Sequence, residues 1–194
     1  MRALEVHELT KNNRNNTIME IGAGACLNLA LHHHLYNANS IIVDLPETMI
    51  VGYTTLKCLF PESSIILPHQ VEKQLKSGKN FDSIIKDNDF VFLLPTQIDY
   101  LEDLSLDKVF NMASFQEMDI EVVNNYLDVV YKKLDKDGSL IFLNMEVSRQ
   151  VKGNSISNYD INNYRDKKFI TPPHANFEIK SLKSLKYIFF EGIK

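Results

Sequence analysis

The stretch Thr17-Ile18-Met19-Glu20-Ile21-Gly22-Ala23-Gly24-Ala25-Cys26 constrains the fold of this chain more than any other. An apolar run carrying one acid meets two glycines, Gly22 and Gly24, and passes into Leu27-Asn28-Leu29-Ala30-Leu31. That order predicts a buried strand, a tight turn and the start of a helix. Glycine at such a turn takes backbone dihedrals that other residues avoid, and lets a ligand approach where a Cβ would stand. The helix that follows points free N–H groups and the positive end of its dipole at the same place, which favours an anionic group.

Spacing separates the cofactor classes that use such a turn. A dinucleotide site requires G-x-G-x-x-G, whose third glycine allows close packing of helix on sheet. Leu27 stands at that third position. The acid two residues before the first glycine leads elsewhere. Glu20-Ile21-Gly22-Ala23-Gly24 resembles motif I of the class I S-adenosylmethionine-dependent methyltransferases, an acid, any residue, then G-x-G-x-G. Cys26 stands where that pattern has its last glycine. The resemblance implies an α/β, Rossmann-like class I methyltransferase fold: a mostly parallel sheet, helices on both faces and a C-terminal antiparallel hairpin. It also implies S-adenosylmethionine as cofactor, with Glu20, Gly22, Ala23 and Gly24 lining its site.

The second strand reads as Ser40-Ile41-Ile42-Val43-Asp44, ending in an acid. An acid there is placed to accept hydrogen bonds from both ribose hydroxyls of an adenosine ligand. Capping of the next helix is a compatible role, since Pro46 and Glu47 suit a helix start. Asp44-Leu45-Pro46-Glu47 is similar to the turn of small-molecule O-methyltransferases and adds Leu45 to the implied cofactor contacts. Together with Phe60-Pro61 and Ser114-Phe115-Gln116-Glu117-Met118-Asp119, it resembles the sugar O-methyltransferase family.

That last string follows the predicted strand Lys108-Val109-Phe110-Asn111. In class I enzymes this strand end runs beside the methionine part of the cofactor, which implicates Asn111. In the related phenolic O-methyltransferases a histidine–aspartate pair follows, and the histidine is the base. Here Gln116-Glu117 occupy those places. Glutamine cannot take a proton, so Glu117 is the candidate general base; its alternative is a loop acid before the next helix.

The rest of the chain fills in around these elements. Leu27, Leu31 and Leu35 predict the apolar face of the first helix, and Met49, Tyr53, Leu56 and Phe60 that of the second. His32-His33-His34 fan out by about 100° per residue on a helix and cannot converge on one metal. Ser63–Pro68 and Asp89–Pro95 both read as strands, either of which could be the third strand of the sheet. Adenine contacts follow that strand in the resembled family, near His69-Gln70 or near Thr96-Gln97, with the first pair preferred. A helix is predicted over 120–134 with Val123, Leu127, Val130 and Leu134 inward, then a strand over 139–144. Asn144 and Glu146 emerge where ligands of open α/β sheets bind. Residues 148–175 read as a polar loop whose Tyr159, Tyr164 and Arg165 could line a sugar pocket. Phe177–Ile179 and Tyr187–Phe190 read as the closing hairpin.

Composition sets the remaining bounds. The 194 residues suit one domain, with residues 1–16 a polar lead-in that is short for the helices the resemblance implies before the first strand. A net charge of −4 gives no general attraction to nucleic acid or to an anionic membrane. No apolar run approaches the roughly 20 residues of a membrane span, and the N-terminus has no signal-peptide core. Two cysteines, Cys26 and Cys58, form no metal-type pair and read as reduced thiols of a cytoplasmic protein. No convincing metal cluster is present.

The expectation is therefore an S-adenosylmethionine-dependent O-methyltransferase acting on a sugar hydroxyl, with a small-molecule or glycan acceptor and an oligomeric state the sequence leaves open. Two alternatives stand beside it. One is a methyltransferase fold kept as an inactive binding or scaffold protein. The other is an NAD-dependent sugar-modifying enzyme, against which counts Leu27.

Overall fold

A computed structural model describes residues 17–101, 104–170 and 187–194. Packing groups the chain into two compact units, residues 1–108 and 109–194, with the division inside one strand. The predicted lead-in 1–16 and the strand Phe177–Ile179 lie outside the described residues.

The first unit opens with β1, Thr17–Ile21, buried along nearly its whole length. The glycine turn leads into α1, Leu27–Tyr36, and then β2, Asn39–Val43. β1 and β2 pair in parallel, Thr17 opposite Asn39 and Ile21 opposite Val43. Next come α2, Pro46–Leu59, β3, Ile65–Ile66, α3, Pro68–Lys76, α4, Phe81–Lys86, and β4, Phe90–Leu93. The strands run in the order β3-β4-β2-β1, all parallel. So both candidate strands enter the sheet. β4 is the neighbour of β2, and β3 is a two-residue edge strand. Both-sided burial explains the unbroken apolar run Phe90-Val91-Phe92-Leu93.

Two helix faces differ from expectation. On α1 the buried residues are Leu29, Ala30 and His32, while Leu27 is 60% and Leu35 44% exposed. The turn sets this rotation: Cys26, fully buried at the helix N-cap, fixes the inward face, and Leu29 and Ala30 follow at i+3 and i+4. On α2 the inward residues are Met49, Gly52 and Leu56; Tyr53 is exposed. The sequence reading also missed α4. Asn80 caps it by accepting the N–H of Ser83 at 2.8 Å, and Phe81, Ile84 and Ile85 are its buried face. The Asn39 amide donates to the carbonyls of Ile85 and Asn88, which pins the end of α4 to β2.

β5, Leu106–Met112, carries the division between the units. In the second unit the described elements continue with α5, Ile120–Lys133, β6, Leu134–Met145, β7, Arg165–Ile170, and β8, Tyr187–Ile193. Their order is β5-β6-β8-β7, with β8 antiparallel to both β6 and β7. Strands at the C-terminal end are thus antiparallel as expected, but β7 lies in the stretch read as a polar loop. The helix over 120–133 buries Val123, Tyr126, Leu127 and Val130, so Tyr126 joins the predicted face, while Leu134, expected at its end, is buried as the first residue of β6. Asp119 sits at its N-cap without a side-chain capping bond.

Candidate functional site

The glycine turn is held from three directions in the first unit. Gly22 N–H donates to the Val43 carbonyl at 2.8 Å, which extends the β1–β2 ladder past both strand ends. Gly24 N–H donates to Asp44 Oδ2 at 2.8 Å, and Leu45 N–H to Asp44 Oδ1 at 2.7 Å. Cys26 N–H closes the turn on the Ala23 carbonyl at 2.9 Å. Gly22, Gly24 and Cys26 all have positive φ, 67°, 55° and 57°. Left-handed backbone at every second residue is what glycines permit at no steric cost. Cys26 adopts it as well, so the turn keeps its shape with one glycine replaced.

Space and charge at this turn favour a ligand. A Cβ added to Gly24 would meet nothing within 4 Å, so the backbone there is open to a bound group. Beneath it lies Glu20, 2% exposed. Its Oε1 accepts from the Asn28 amide at 3.0 Å, and its Oε2 is buried with no hydrogen-bond partner. Burial pushes the Glu20 carboxyl up to about 8; the Asn28 bond opposes this, and the nearby Asp44 charge adds to it. Asp44 is 8% exposed, and each of its oxygens has a lone pair beyond the backbone bond it accepts. The structure therefore brings Glu20, Gly22, Ala23, Gly24, Asp44 and Leu45 together at the ends of β1 and β2.

His69 and Gln70 are exposed in the first turn of α3, where Gln70 Oε1 accepts the Leu67 N–H at 2.9 Å. Gln97 follows β4. Its Oε1 accepts Leu94 N–H at 3.0 Å, and its amide reaches the Pro68 carbonyl at 3.4 Å. Both segments offered for adenine contacts are thus neighbours in space. The three consecutive histidines diverge: His32 is buried, His33 packs between Phe60 and Phe90, and His34 is exposed. No group of three or more potential metal ligands occurs among the described residues.

In the second unit the Ser114–Met118 string serves chiefly as a clamp. Ala113 turns the chain with φ 68° while its N–H bonds the Leu143 carbonyl at 2.8 Å. Asn111 Oδ1 then accepts Phe115 N–H at 3.1 Å and the Asn144 amide at 2.9 Å. Asn144 Oδ1 accepts Gln116 N–H, and Gln116 Oε1 accepts Met145 N–H at 2.8 Å. Asn154 donates to the carbonyls of Phe115 and Met118. A buried polar network so fully paired fixes one loop conformation. The sequence reading missed Asn154 and took Asn144 as a ligand-edge residue. Asn144 is fully buried in this network. Glu117, by contrast, is exposed on the short 3₁₀ turn Phe115–Glu117.

Of the three aromatic or basic residues offered for a sugar pocket, Tyr159 lines a cavity among the described residues. Tyr164 is buried, its hydroxyl donating to the Leu127 carbonyl, and Arg165 pairs with Asp137 at 2.7 Å. The cavity holds about 870 Å³ and is lined by Glu146, Ser155, Tyr159, Asn162, Lys167 and Phe169 among others. Phe169 is 54% exposed.

No protein-family model matches the sequence, and no curated protein matches it. Solved structures do. Phosphoethanolamine N-methyltransferase 2 of Haemonchus contortus, in complex with S-adenosyl-L-methionine, aligns with 100% of this chain and 52% of its own at 12% identity and TM-score 0.64. A candidate O-methyltransferase of Nostoc punctiforme aligns with 100% and 56% at 11% identity and TM-score 0.62. The precorrin-6y C5,15-methyltransferase of Geobacter metallireducens aligns with 99% and 86% at 13% identity and TM-score 0.59. The fold is the Rossmann-like fold of class I methyltransferases. The chain spans about half the length of the first two of these structures. Their names carry O-, N- and C-methylation, so the shared fold does not select the acceptor.

Proposed function

We propose that this chain carries an S-adenosylmethionine site and catalyses methyl transfer to a sugar hydroxyl. The observation that carries the cofactor reading is the Gly24–Asp44 hydrogen bond beside an open Gly24 and the unpartnered Glu20 Oε2. An acid with free lone pairs beside a turn open to ligand suits a group rich in hydroxyl donors. In this reading Asp44 accepts the ribose hydroxyls with its remaining lone pairs, and Glu20, Gly22, Ala23 and Gly24 line the turn. Leu45 flanks the ribose. His69 and Gln70 serve the adenine side with Gln97 beside them, and Asn111, its side chain closed in the buried network, serves the methionine end by holding the loop over 114–118.

S-adenosylmethionine, when bound, supplies a methyl group already activated on a sulfonium, so the protein has mainly to align the acceptor and exclude water. Bound there, it would give that methyl to an acceptor oxygen and leave as a thioether, so what this chain has to supply is a place for the acceptor and a group to take its proton. Glu117 is the group that takes the hydroxyl proton. Its exposure on the 3₁₀ turn suits a residue that must reach an acceptor. For the acceptor class, the cavity beside Tyr159 offers carboxylate, ammonium, hydroxyl and amide groups with the exposed Phe169 ring. That mixture suits a polyhydroxylated ring with one apolar face.

The test is incorporation of labelled methyl from S-adenosylmethionine into a panel of free and nucleotide-linked sugars, with phosphoethanolamine and a phenol as controls. Incorporation into a sugar supports the reading. Incorporation only into an amine or a phenol contradicts the acceptor class and leaves the cofactor.

A further inference from the structure

We propose that Cys26 and Gly52 are a fitted pair that positions the glycine turn for its adenosyl ligand. The inference rests on the reading of that turn as the cofactor site. Cys26 holds a left-handed backbone, with φ 57° and ψ 26°, that is unfavourable for a residue with a Cβ. Its side chain is fully buried, and its S–H is directed to the Gly24 carbonyl at 3.8 Å. Burial, then the charges of Glu20 and Asp44, push the thiol up to about 12, so it stays protonated and keeps that donor.

Gly52 lies in the middle of α2, where glycine is unfavourable relative to alanine. Its φ is not positive, so no turn demands it. Space does. A Cβ at Gly52 would stand 2.6 Å from Cys26 Sγ, 2.9 Å from the Gly24 carbonyl oxygen and 3.5 Å from the Phe92 ring. The missing Cβ on α2 is therefore the room into which the sulfur fits. The same contact sets the Gly24 carbonyl, whose own residue donates its N–H to Asp44. Cys26 thus occupies the interior side of the turn, next to Gly52, while the space above Gly24 stays open. Gly52 is a positioning residue: it acts on the ligand through the turn.

The test uses Gly52→Ala, Cys26→Gly and the double variant, read by calorimetric titration with S-adenosylhomocysteine and by thermal unfolding. Gly52→Ala displaces the turn, so its affinity should fall at least about tenfold, the scale of one hydrogen bond to a charged group. Cys26→Gly loses the sulfur and its S–H donor to the Gly24 carbonyl, so its affinity should fall, but by less than that of Gly52→Ala. In the double variant the contact with the sulfur is gone and only the approach to the Gly24 carbonyl remains, so part of the lost affinity and melting temperature should return. If the double variant binds as weakly as Gly52→Ala, or if Gly52→Ala binds normally, the pair is overturned. Should Gly52→Ala fail to fold, a folded double variant that binds S-adenosylhomocysteine supports the pair, and an equally unfolded one overturns it. A folded wild type that binds no S-adenosylhomocysteine overturns the cofactor reading, and the positioning role falls with it.

Discussion

The Oδ2 of Asp44 accepts the backbone N–H of Gly24 at 2.8 Å, so the carboxylate that ends β2 braces the turn that ends β1. The other oxygen accepts the N–H of Leu45, the residue just before α2, so one side chain holds both chain segments. Asp44→Ala should weaken S-adenosylhomocysteine binding at least about tenfold, by loss of ribose acceptors and of the brace. Asp44→Asn keeps one carbonyl acceptor and should fall between the two. A folded Asp44→Ala protein with an unchanged dissociation constant would leave Asp44 structural only.

Glu20 makes stability depend on pH in a defined direction. Burial raises its carboxyl from 4.5 to about 8. Between those values the native protein holds a proton that the unfolded chain has lost, so stability falls as pH rises from about 4.5 to about 8 and is level beyond. The slope from this one group is at most about 1.4 kcal/mol per pH unit. Glu20→Gln, which mimics the protonated form, should flatten that part of the profile in denaturant titrations between pH 5 and pH 8. A variant with the wild-type slope would show that Glu20 is ionised in the folded protein.

Glu117 is tested by isosteric replacement once an acceptor is in hand. As general base, Glu117→Gln should lower turnover by about 10²–10⁴ with cofactor affinity nearly unchanged. Since Glu117 is exposed and no side-chain partner depends on it, its removal should leave the melting temperature in place. A full-rate Glu117→Gln enzyme removes the residue from the mechanism.

Asn144 should behave in the opposite way. Its truncation leaves the buried Gln116 N–H without its partner, while Asn111 Oδ1 keeps the Phe115 N–H. An unsatisfied buried group costs about 1–3 kcal/mol, so Asn144→Ala should destabilise the protein by about that much in chemical denaturation. A loss below about 1 kcal/mol would mean that water or a loop shift replaces the bond to Gln116.

These contrasts show which parts of the chain announce themselves. Strong local signals carried through: Gly22 and Gly24 at positive φ, Asp44 at the end of β2, and the apolar runs of β1, β2 and β4. What failed were faces and partners, because they depend on elements remote in sequence. Tyr53 was expected inward by spacing, yet Gly52 took the position because Cys26 needs the room. β7 is exposed along its length, so Arg165–Ile170 lacks the alternation that marks a half-buried strand. Asn111, Asn144 and Asn154 look like ligand or loop residues until their hydrogen bonds are seen to close on one another and on the 114–118 backbone. At the turn, the Gly24 N–H to Asp44 is a long-range bond that no periodicity reports.

The most direct measurement of the central claim is a pair of calorimetric titrations of the folded protein, one with S-adenosylhomocysteine and one with NAD. The acids at Glu20 and Asp44, the open Gly24 and Leu27 in place of a third dinucleotide glycine predict saturable binding of the first, and binding of NAD at least about tenfold weaker. Saturable NAD binding with none for S-adenosylhomocysteine would contradict the account.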